Sequence, residues 1–317
     1  MNSMNHLYIG LDGGGTHTTV YAVRRDGTIL SRAGGPGLNY LTDGTDLCVR
    51  RFRDMLLPLI PGLTGPEITV CAGLAALDGP APPEILSAFR SVLPSGCQLI
   101  LESDLSAALA GLTQGKPGMM AVCGTGSMLM ARDAAGRESA FGGWGWKIGD
   151  PGSGFSLARE SLFRALFRWE AEGKRTPLLE AALAFFTAEH PRDLIPLLYE
   201  PSLGTDAFAA FGAEAVRLAE TGDPDAGGIL AGQMEQLAAL AGALLDSVPE
   251  ALHCVGLYGG VFQHSAPARD AFSAALRLRH PEARPEPLTV PPAMGAVILA
   301  MLREGISPGS LPAFQHE

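Results

Sequence analysis

The first part of the chain alternates short apolar runs with turns and with segments of helical spacing. Period-two or continuous apolar patterns predict strands at Leu7 to Leu11, Thr18 to Val23, Thr28 to Leu30, Ile68 to Gly73 and Gln98 to Glu102. Apolar residues at helical spacing predict helices at Asp46 to Leu57, at Pro83 to Leu93 and from about Asp104. Strands that alternate with helices indicate an α/β fold.

A weak internal repeat begins at Met119. Both copies have a strand, a Gly/Thr/Ser turn, a second strand, a turn with Asp and Gly, and a third strand, and the second copy opens with Met119 to Cys123 and Met128 to Arg132. Such a duplication predicts two similar domains with a cleft between them. We expect these domains at residues 1–115 and 116–317, with the last helix, about 293–303, packing back at the hinge.

The chain becomes strongly helical after Gly154. Helix formers at helical spacing predict helices at Phe155 to Trp169, Leu178 to Phe186, Thr205 to Glu220 and Asp225 to Leu245. A strand, Cys254 to Tyr258, precedes a pair of glycines, and an apolar helix covers Ala293 to Arg303. The tail from Ser307 to Glu317 is expected to be frayed.

Composition narrows the class of protein. The chain of 317 residues is 47% hydrophobic and 18% charged, which is typical of a globular protein. Its net charge of -10 disfavours nucleic acid and anionic membrane surfaces as partners. The five cysteines form no CxxC pair, which predicts reduced thiols and no zinc or iron–sulfur site. Without a signal peptide or an apolar run of ~20 residues, a soluble cytoplasmic protein is expected.

Three glycine turns carry the candidate chemistry. The first glycine turn comprises Asp12, Gly13, Gly14, Gly15 and Thr16, and the second comprises Gly124, Thr125, Gly126 and Ser127. Glycines let backbone N–H groups converge on an anion, and Asp12 is suited to hold Mg²⁺ through water. The third turn, Gly259 and Gly260, ends a strand and permits close approach of a ring or ribose. Taken singly, each turn is also compatible with an ordinary tight turn.

These three turns, in this order, resemble the two phosphate motifs and the adenosine motif of the actin-like ATPase superfamily. The segment from Gly142 to Gly154 resembles the sugar-binding signature of N-acetylglucosamine kinases and of their relatives, the activator ATPases of benzoyl-CoA-type reductases. The resemblance runs from Ile9 to about Leu302 and is weakest from Thr176 to Asp225. It implies a two-domain actin-like ATPase fold, related to ribonuclease H, with a duplicated mixed sheet flanked by helices.

The family places its catalytic aspartate at the start of a helix that follows a strand. Asp104 occupies that place in the segment Leu101 to Ala108. A carboxylate there can accept the proton of a sugar hydroxyl as its oxygen attacks the γ-phosphoryl group. The alternative is that Asp104 is only the N-cap of the helix. Glu102 is a poorer candidate for the base.

The resemblance also suggests six substrate-binding residues: Asn39, Gly143, Trp144, Asp150, Ser153 and Gly154. An amide can donate to and accept from sugar hydroxyls, an indole can stack on a sugar face, and a carboxylate can hold two hydroxyls. For Asn39 and Asp150 the alternative is stabilisation of a turn, and for Trp144 it is core packing. Ser153 and Gly154 fit equally well at the start of the next helix.

Two departures from the family pattern lie beside this segment. The family often has glutamate where this chain has Pro151, and an apolar residue where it has Lys147. Lys147 is suited to contact a phosphate or to stay solvated. The absence of paired cysteines argues against the electron transfer of the reductase activators.

The sequence therefore predicts an ATP- and Mg²⁺-dependent kinase of an amino sugar, N-acetylglucosamine before glucosamine or another hexose, phosphorylated at its 6-hydroxyl as the resemblance implies. Two hypotheses from other classes remain, an ATPase that activates a partner enzyme and a sugar-responsive regulator without turnover. The resemblance also suggests a homodimer.

Overall fold

The computed structural model describes residues 6–60 and 67–316. The chain divides into two compact units, a first unit of Met1–Lys116 with Thr289–Glu317 and a second unit of Pro117–Leu288. The sequence-based domains were residues 1–115 and 116–317, whereas the segment from Thr289 onward lies in the first unit here.

The first unit is built on a mixed sheet of six strands in the order β11-β3-β2-β1-β4-β5. They are β1 Leu7–Gly13, β2 His17–Arg24, β3 Thr28–Pro36, β4 Ile68–Leu74, β5 Gln98–Ser103 and β11 Gln315–His316. The central strand β1 is antiparallel to β2 and parallel to β4. Its residues from Leu7 to Leu11 are all buried, because both of its faces are covered.

The helices of the first unit are α1 Tyr40–Asp43, α2 Thr45–Leu56, α3 Pro83–Arg90, α4 Asp104–Thr113 and α12 Pro292–Arg303. One face of the sheet packs with α2 and α3, where the rings of Phe52 and Phe89 meet edge to face at 5.0 Å. The other face packs with α4 and α12. The backbones come so close there that a Cβ at Gly10 would lie 2.2 Å from the carbonyl oxygen of Ala293.

The second unit repeats this topology. Its strands are β6 Gly118–Cys123, β7 Ser127–Arg132, β8 Glu138–Gly142, β9 Val255–Tyr258 and β10 Pro285–Pro287. The order β8-β7-β6-β9-β10 matches β3-β2-β1-β4-β5, with the same antiparallel and parallel pairings. The predicted duplicated mixed sheet is therefore confirmed.

The helices of the second unit are α5 Gly154–Glu172, α6 Pro177–Phe185, α7 Leu194–Leu198, α8 Thr205–Glu220, α9 Pro224–Ser247, α10 Gly260–His264 and α11 Ala266–Arg279. The long helix α9 packs on the sheet together with α11. The helices α5, α6 and α8 form a second apolar cluster. Short 3₁₀ helices lie at Leu57–Leu59, Pro191–Asp193, Pro249–His253 and Pro308–Ser310.

Among the described residues, α9 is the one helix long and apolar enough to cross a bilayer by length and composition. Its apolar side chains, including Leu237, Ala241 and Leu244, are buried in the core beside the sheet. The pattern is that of a core helix of this α/β unit.

Several elements differ from the sequence-based predictions. The tail is not frayed over its described part, because β11 pairs in parallel with Thr28 and Ile29 of β3, and Phe314 packs against the core of the first unit. The predictions omitted α11 and α1, and also β10, whose Pro-Glu-Pro sequence lacks strand character. The last helix, α12, joins the first unit because its nearly continuous apolar surface is buried against β1 and α4.

Candidate active site

The first glycine turn connects β1 to β2 at the end of the sheet where the parallel strands β1, β4 and β5 terminate. Its carbonyl groups are held by backbone donors: Gly13 accepts from Ala75 N–H (3.1 Å), Gly14 from Leu38 N–H (3.1 Å) and Thr16 from Gly37 N–H (3.0 Å). A Cβ at Gly15 would meet no described atom within 4 Å. The fold itself therefore does not require glycine there, whereas close approach of a ligand would.

Asp12 and Asp104 lie at the same end of this sheet. Asp12 is opposite Gly73 of β4, and a Cβ at Gly73 would lie 3.1 Å from the Cα of Asp104. Burial, and secondly the charge of Asp104, raise the pKa of Asp12 to about 6. Burial also raises the pKa of Asp104, although the backbone N–H groups of Leu105 and Asp104 oppose this. Each carboxyl group can thus exchange a proton nearer neutrality than an ordinary aspartate.

Ser103, not Asp104, caps helix α4. The side-chain oxygen of Ser103 accepts the N–H of Ser106 at 3.0 Å, and Asp104 is the first helical residue. The alternative in which Asp104 is only the N-cap is therefore wrong. Glu102 accepts a hydrogen bond from Arg303 at 2.8 Å, so its carboxylate is occupied by an ion pair.

The second and third glycine turns meet in one cavity of about 680 Å³ in the second unit. Gly124 and Thr125 line it together with Gly154, Gly260 and the face of α8 that carries Ala209 and Gly212. A Cβ at Gly124 or at Gly260 would meet no described atom within 4 Å. The second glycine turn and Gly260 of the third turn thus line the same cavity.

Gly259 has a different reason to be glycine. Its φ is +96°, and a Cβ there would lie 2.5 Å from the carbonyl oxygen of Cys123. The left-handed backbone and the close approach of β9 to β6 both exclude a side chain. Gly259 therefore shapes the cavity, whereas Gly260 lines it.

Asp150 is buried beneath the second glycine turn. Its carboxylate accepts the N–H of Gly145 at 3.0 Å and that of Ser127, and a Cβ at Gly126 would lie 2.8 Å from its Oδ2. Burial raises the pKa of Asp150. In this structure the carboxylate thus supports the second glycine turn and the backbone of Gly145.

Ser127, Ser153 and Gly154 also hold this part of the chain together. The hydroxyl of Ser127 donates to the carbonyl of Pro151 at 2.8 Å, and that of Ser153 caps α5 by accepting the N–H of Ser156 at 3.1 Å. Gly154 donates its N–H to the carbonyl of Gly124 at 2.7 Å. These contacts fix the start of α5 directly against the second glycine turn.

Trp144 is 71% exposed, so the core-packing alternative for this residue is wrong. The preceding Gly143 has a φ of +69° and packs on Met128. In the first unit, the side-chain oxygen of Asn39 caps α1 by accepting the N–H of Leu41 at 3.1 Å. Asn39 follows Leu38, which is bonded to the first glycine turn, and so it lies close to that turn.

Sequence reasoning missed some supporting residues. A Cβ at Gly37 would lie 2.3 Å from the carbonyl oxygen of Gly15, so glycine is required for the turn to pack. The Gly-Pro-Gly sequence around Pro36 was the available signal. The residues of α8 that line the cavity showed only helical spacing in the sequence. That spacing does not distinguish the wall of a cavity from the buried face of a core helix.

No group of three or more His, Cys, Asp or Glu side chains suited to a metal ion occurs among residues 6–60 and 67–316. Asp12 is an oxygen ligand of the kind Mg²⁺ prefers, and Mg²⁺ usually keeps several waters and binds substrate phosphates besides one or two carboxylates. The residues present therefore fit a cation held jointly with a nucleotide.

A family model described as the BadF/BadG/BcrA/BcrD ATPase family matches residues 9–300. The chain belongs to this ATPase family. The resemblance drawn from the glycine turns and from the segment Gly142 to Gly154 is thereby confirmed. The match spans both units and ends within α12.

Two characterised relatives of this ATPase extend over nearly the whole chain. An N-acetyl-D-glucosamine kinase of Dictyostelium discoideum is 27% identical, over 93% of this chain and 98% of its own length. An N-acetylmuramic acid/N-acetylglucosamine kinase of Clostridium acetobutylicum is 26% identical, over 92% of this chain and 97% of its own length.

Solved structures agree with the fold. A candidate N-acetylglucosamine kinase from Chromobacterium violaceum has a TM-score of 0.73 and 26% identity, covering 93% of this chain and 99% of that one. A ROK family glucokinase from Streptomyces griseus, in complex with glucose and AMPPNP, has a TM-score of 0.57 and 18% identity, covering 94% of this chain and 100% of that one. At this low identity, the likeness supports the fold alone. The predicted actin-like sugar kinase fold is confirmed.

Proposed function

We propose that this ATPase-family protein is an ATP-dependent carbohydrate kinase whose acceptor is an amino sugar, N-acetylglucosamine first. One observation carries the proposal: Asp104 begins α4 with a raised pKa, beside Asp12 and the first glycine turn, while Ser103 takes over the capping role. The two characterised relatives are both kinases of N-acetylglucosamine, which supports this acceptor.

Asp104 is the general base of the proposed reaction. The 6-hydroxyl oxygen of the sugar attacks the γ-phosphorus of ATP, its proton passes to the Asp104 carboxylate, and the bond from γ-phosphorus to the bridging oxygen breaks to release ADP. The raised pKa makes this carboxylate a stronger base than an ordinary aspartate. Positioning and charge neutralisation supply most of the remaining rate.

Each unit offers a glycine turn to the nucleotide. The cavity of the second unit would take the adenosine against Gly260 and α8, with the phosphates at Gly124 and Thr125. The first glycine turn, around Gly15, would contact the terminal phosphates. Asp12 would hold Mg²⁺ through water, and the cation would neutralise phosphate charge.

Exposed groups near the turns would orient the sugar. Trp144 offers an accessible indole face for a sugar ring. Because the oxygen of Asn39 is used in capping, its amide nitrogen is the group that would donate to a sugar oxygen. Asp150 would act chiefly by holding the second glycine turn and Gly145 in place.

The test measures the rate of ADP formation from ATP and Mg²⁺ in the presence of each of four sugars. These are N-acetylglucosamine, glucosamine, N-acetylmannosamine and glucose. We expect a strong rate with N-acetylglucosamine and none with its 6-deoxy analogue, which fixes the acceptor hydroxyl. ADP formation that ignores every sugar would instead support an ATPase that activates a partner. Sugar binding without ADP would support a regulator.

A further inference from the structure

Gln233 is a polar residue in the apolar interior of the second unit. It lies in the middle of α9 and is 7% exposed. Its neighbours Met234 and Leu237 belong to the core beside the sheet. Burial of an amide side chain is unfavourable unless its polar atoms are hydrogen-bonded. A buried glutamine in such a helix is therefore informative about what it bonds.

The side chain of Gln233 binds the backbone of the segment before α5. Its Oε1 accepts the N–H of Gly152 at 2.9 Å. From β7, the hydroxyl of Ser127 donates to the carbonyl of Pro151 at 2.8 Å. The peptide group between Pro151 and Gly152 is thus bonded at both of its polar atoms. The next carbonyl, that of Gly152, accepts the thiol of Cys123 at 2.7 Å.

This peptide group is the centre of a tight turn. Ser153 donates its N–H to the carbonyl of Asp150 at 3.2 Å, which closes the turn around Pro151 and Gly152. Gly152 has a φ of +82°. Proline followed by a residue of positive φ is the pattern of a type II turn. In a type I turn the same peptide group is turned over, so the bonds at its two ends fix which way it points.

The tight turn leads directly into contacts with the second glycine turn. The carbonyl of Gly124 accepts the N–H of Gly154 at 2.7 Å, and that of Thr125 accepts the N–H of Phe155 at 3.3 Å. The carbonyl of Gly126 accepts the N–H of Gly124 at 2.8 Å. Among residues 6–60 and 67–316, the N–H groups of Thr125 and Gly126 have no protein acceptor. Covered carbonyls beside bare N–H groups suit an anion.

We propose that Gln233 is a positioning residue for the phosphates of the nucleotide, and that it acts through the N–H of Gly152. This inference rests on the proposed function, which seats those phosphates at the second glycine turn. With the peptide group held, the first residues of α5 cover the carbonyls of that turn, and its bare N–H groups keep their direction. Without the Gln233 oxygen, the buried N–H of Gly152 loses its acceptor and the tight turn is free to invert.

The test measures the dissociation constants of ADP and of adenosine by calorimetry in the presence of Mg²⁺. Gln233→Met keeps the length of the side chain and removes the acceptor. It should weaken ADP by roughly 10-fold, about the effect of one hydrogen bond. Adenosine has no phosphate, so its affinity should not change. Gln233→Glu keeps an acceptor oxygen and should bind ADP more tightly than Gln233→Met. Gln236→Met, at an exposed position of the same helix, is the matched control.

A second variant approaches the same peptide group from its other end. Ser127→Ala removes the donor to the Pro151 carbonyl and should also weaken ADP without weakening adenosine. It decides the question if Gln233→Met does not fold.

The outcomes for the inference and for the proposed function are separate. Equal weakening of ADP and adenosine would overturn the inference, because Gln233 would then only support the cavity. Unchanged ADP affinity in Gln233→Met would overturn it too, even if a sugar is phosphorylated. Selective loss of ADP affinity, without phosphorylation of any sugar, would overturn the proposed function and leave the role of Gln233 standing.

Discussion

The two glycine turns occupy equivalent places in two sheets of the same topology, yet different groups lie beside them. In the first unit, Asp12 precedes the turn and Asp104 starts the helix after β5. In the second unit, Cys123 precedes the turn, and after β10 the chain passes into α12 of the first unit. Asp12 is thus replaced by a buried thiol, which donates to the carbonyl of Gly152, and residues 117–288 contain no helix after β10 that would correspond to α4.

This difference separates two tasks on one duplicated scaffold. The first unit has carboxyl groups of raised pKa beside an open turn, which suits the proton transfer proposed for Asp104. The second unit has a cavity lined by small residues such as Ala209 and Gly212 and by charged residues such as Asp206 and Arg217, which suits the nucleotide proposed there. Four predictions test this separation, from the largest expected effect to the smallest.

The largest effect is expected for Asp104→Asn. Loss of the base should lower kcat by roughly 10²- to 10⁴-fold, while ATP and sugar still bind. The measurements are steady-state kinetics and calorimetric binding of both substrates. Ser103→Ala is the matched control, since it removes the cap, at a cost of about 1 kcal/mol in unfolding free energy, and keeps the base. A near-normal kcat in Asp104→Asn would remove Asp104 from the proposed role.

The pair Gly259→Ala and Gly260→Ala tests the cavity of the second unit. Gly259→Ala should lower the free energy of unfolding by about 3 kcal/mol, because of its left-handed φ and the contact with Cys123. Gly260→Ala should be tolerated by the fold and should raise the KM for ATP. Urea denaturation and ATP kinetics check both. Equal destabilisation by the two changes would contradict the distinction between a shaping and a lining glycine.

Asp12→Asn should stabilise the protein at neutral pH while reducing Mg²⁺-dependent turnover. The folded pKa of about 6 exceeds the ordinary aspartate value of 3.8, so ionisation destabilises the fold as the pH rises between these values. We expect a gain of about 3 kcal/mol at pH ~7 that vanishes at pH ~3.5.

Denaturation curves at several pH values measure this gain. Cys123→Ser is the control at the equivalent position of the second unit. Burial raises the pKa of the Cys123 thiol, which therefore stays neutral, and any stability change should not vary with pH. A pH-independent gain in Asp12→Asn would mean that burial of the ionised carboxylate is not its cause.

The smallest effect on stability is expected for Trp144→Ala. An exposed side chain contributes little to the fold, so the free energy of unfolding should change by less than about 0.5 kcal/mol. The KM for the sugar should rise several-fold and the KM for ATP should not. A large loss of stability would show that Trp144 packs rather than binds.

The sequence was most informative where chemistry and pattern coincide. The glycine turns between apolar strands predicted where each of the two sheets begins in the sequence. The order of these turns indicated the family. Local competition between neighbours was harder to predict: Ser103 and Asp104 are both able to cap a helix, and only the structure assigns the cap to Ser103. The cavity of about 400 Å³ that Phe155 and Phe208 line was not predicted. These two residues are far apart in sequence, and each resembles an ordinary helical residue.

The position of α12 has a consequence for synthesis of the chain. Because α12 covers β1, with Gly10 against Ala293, one face of the N-terminal sheet is only partly covered, by α4, until α12 has left the ribosome. The inserted second unit, a continuous segment, already has all of its strands by then. Domains usually mature from the N-terminus during translation. Here we expect the reverse order, in which the second unit folds first and the N-terminal unit is completed last. Until α12 is available, the N-terminal unit should depend most on chaperones.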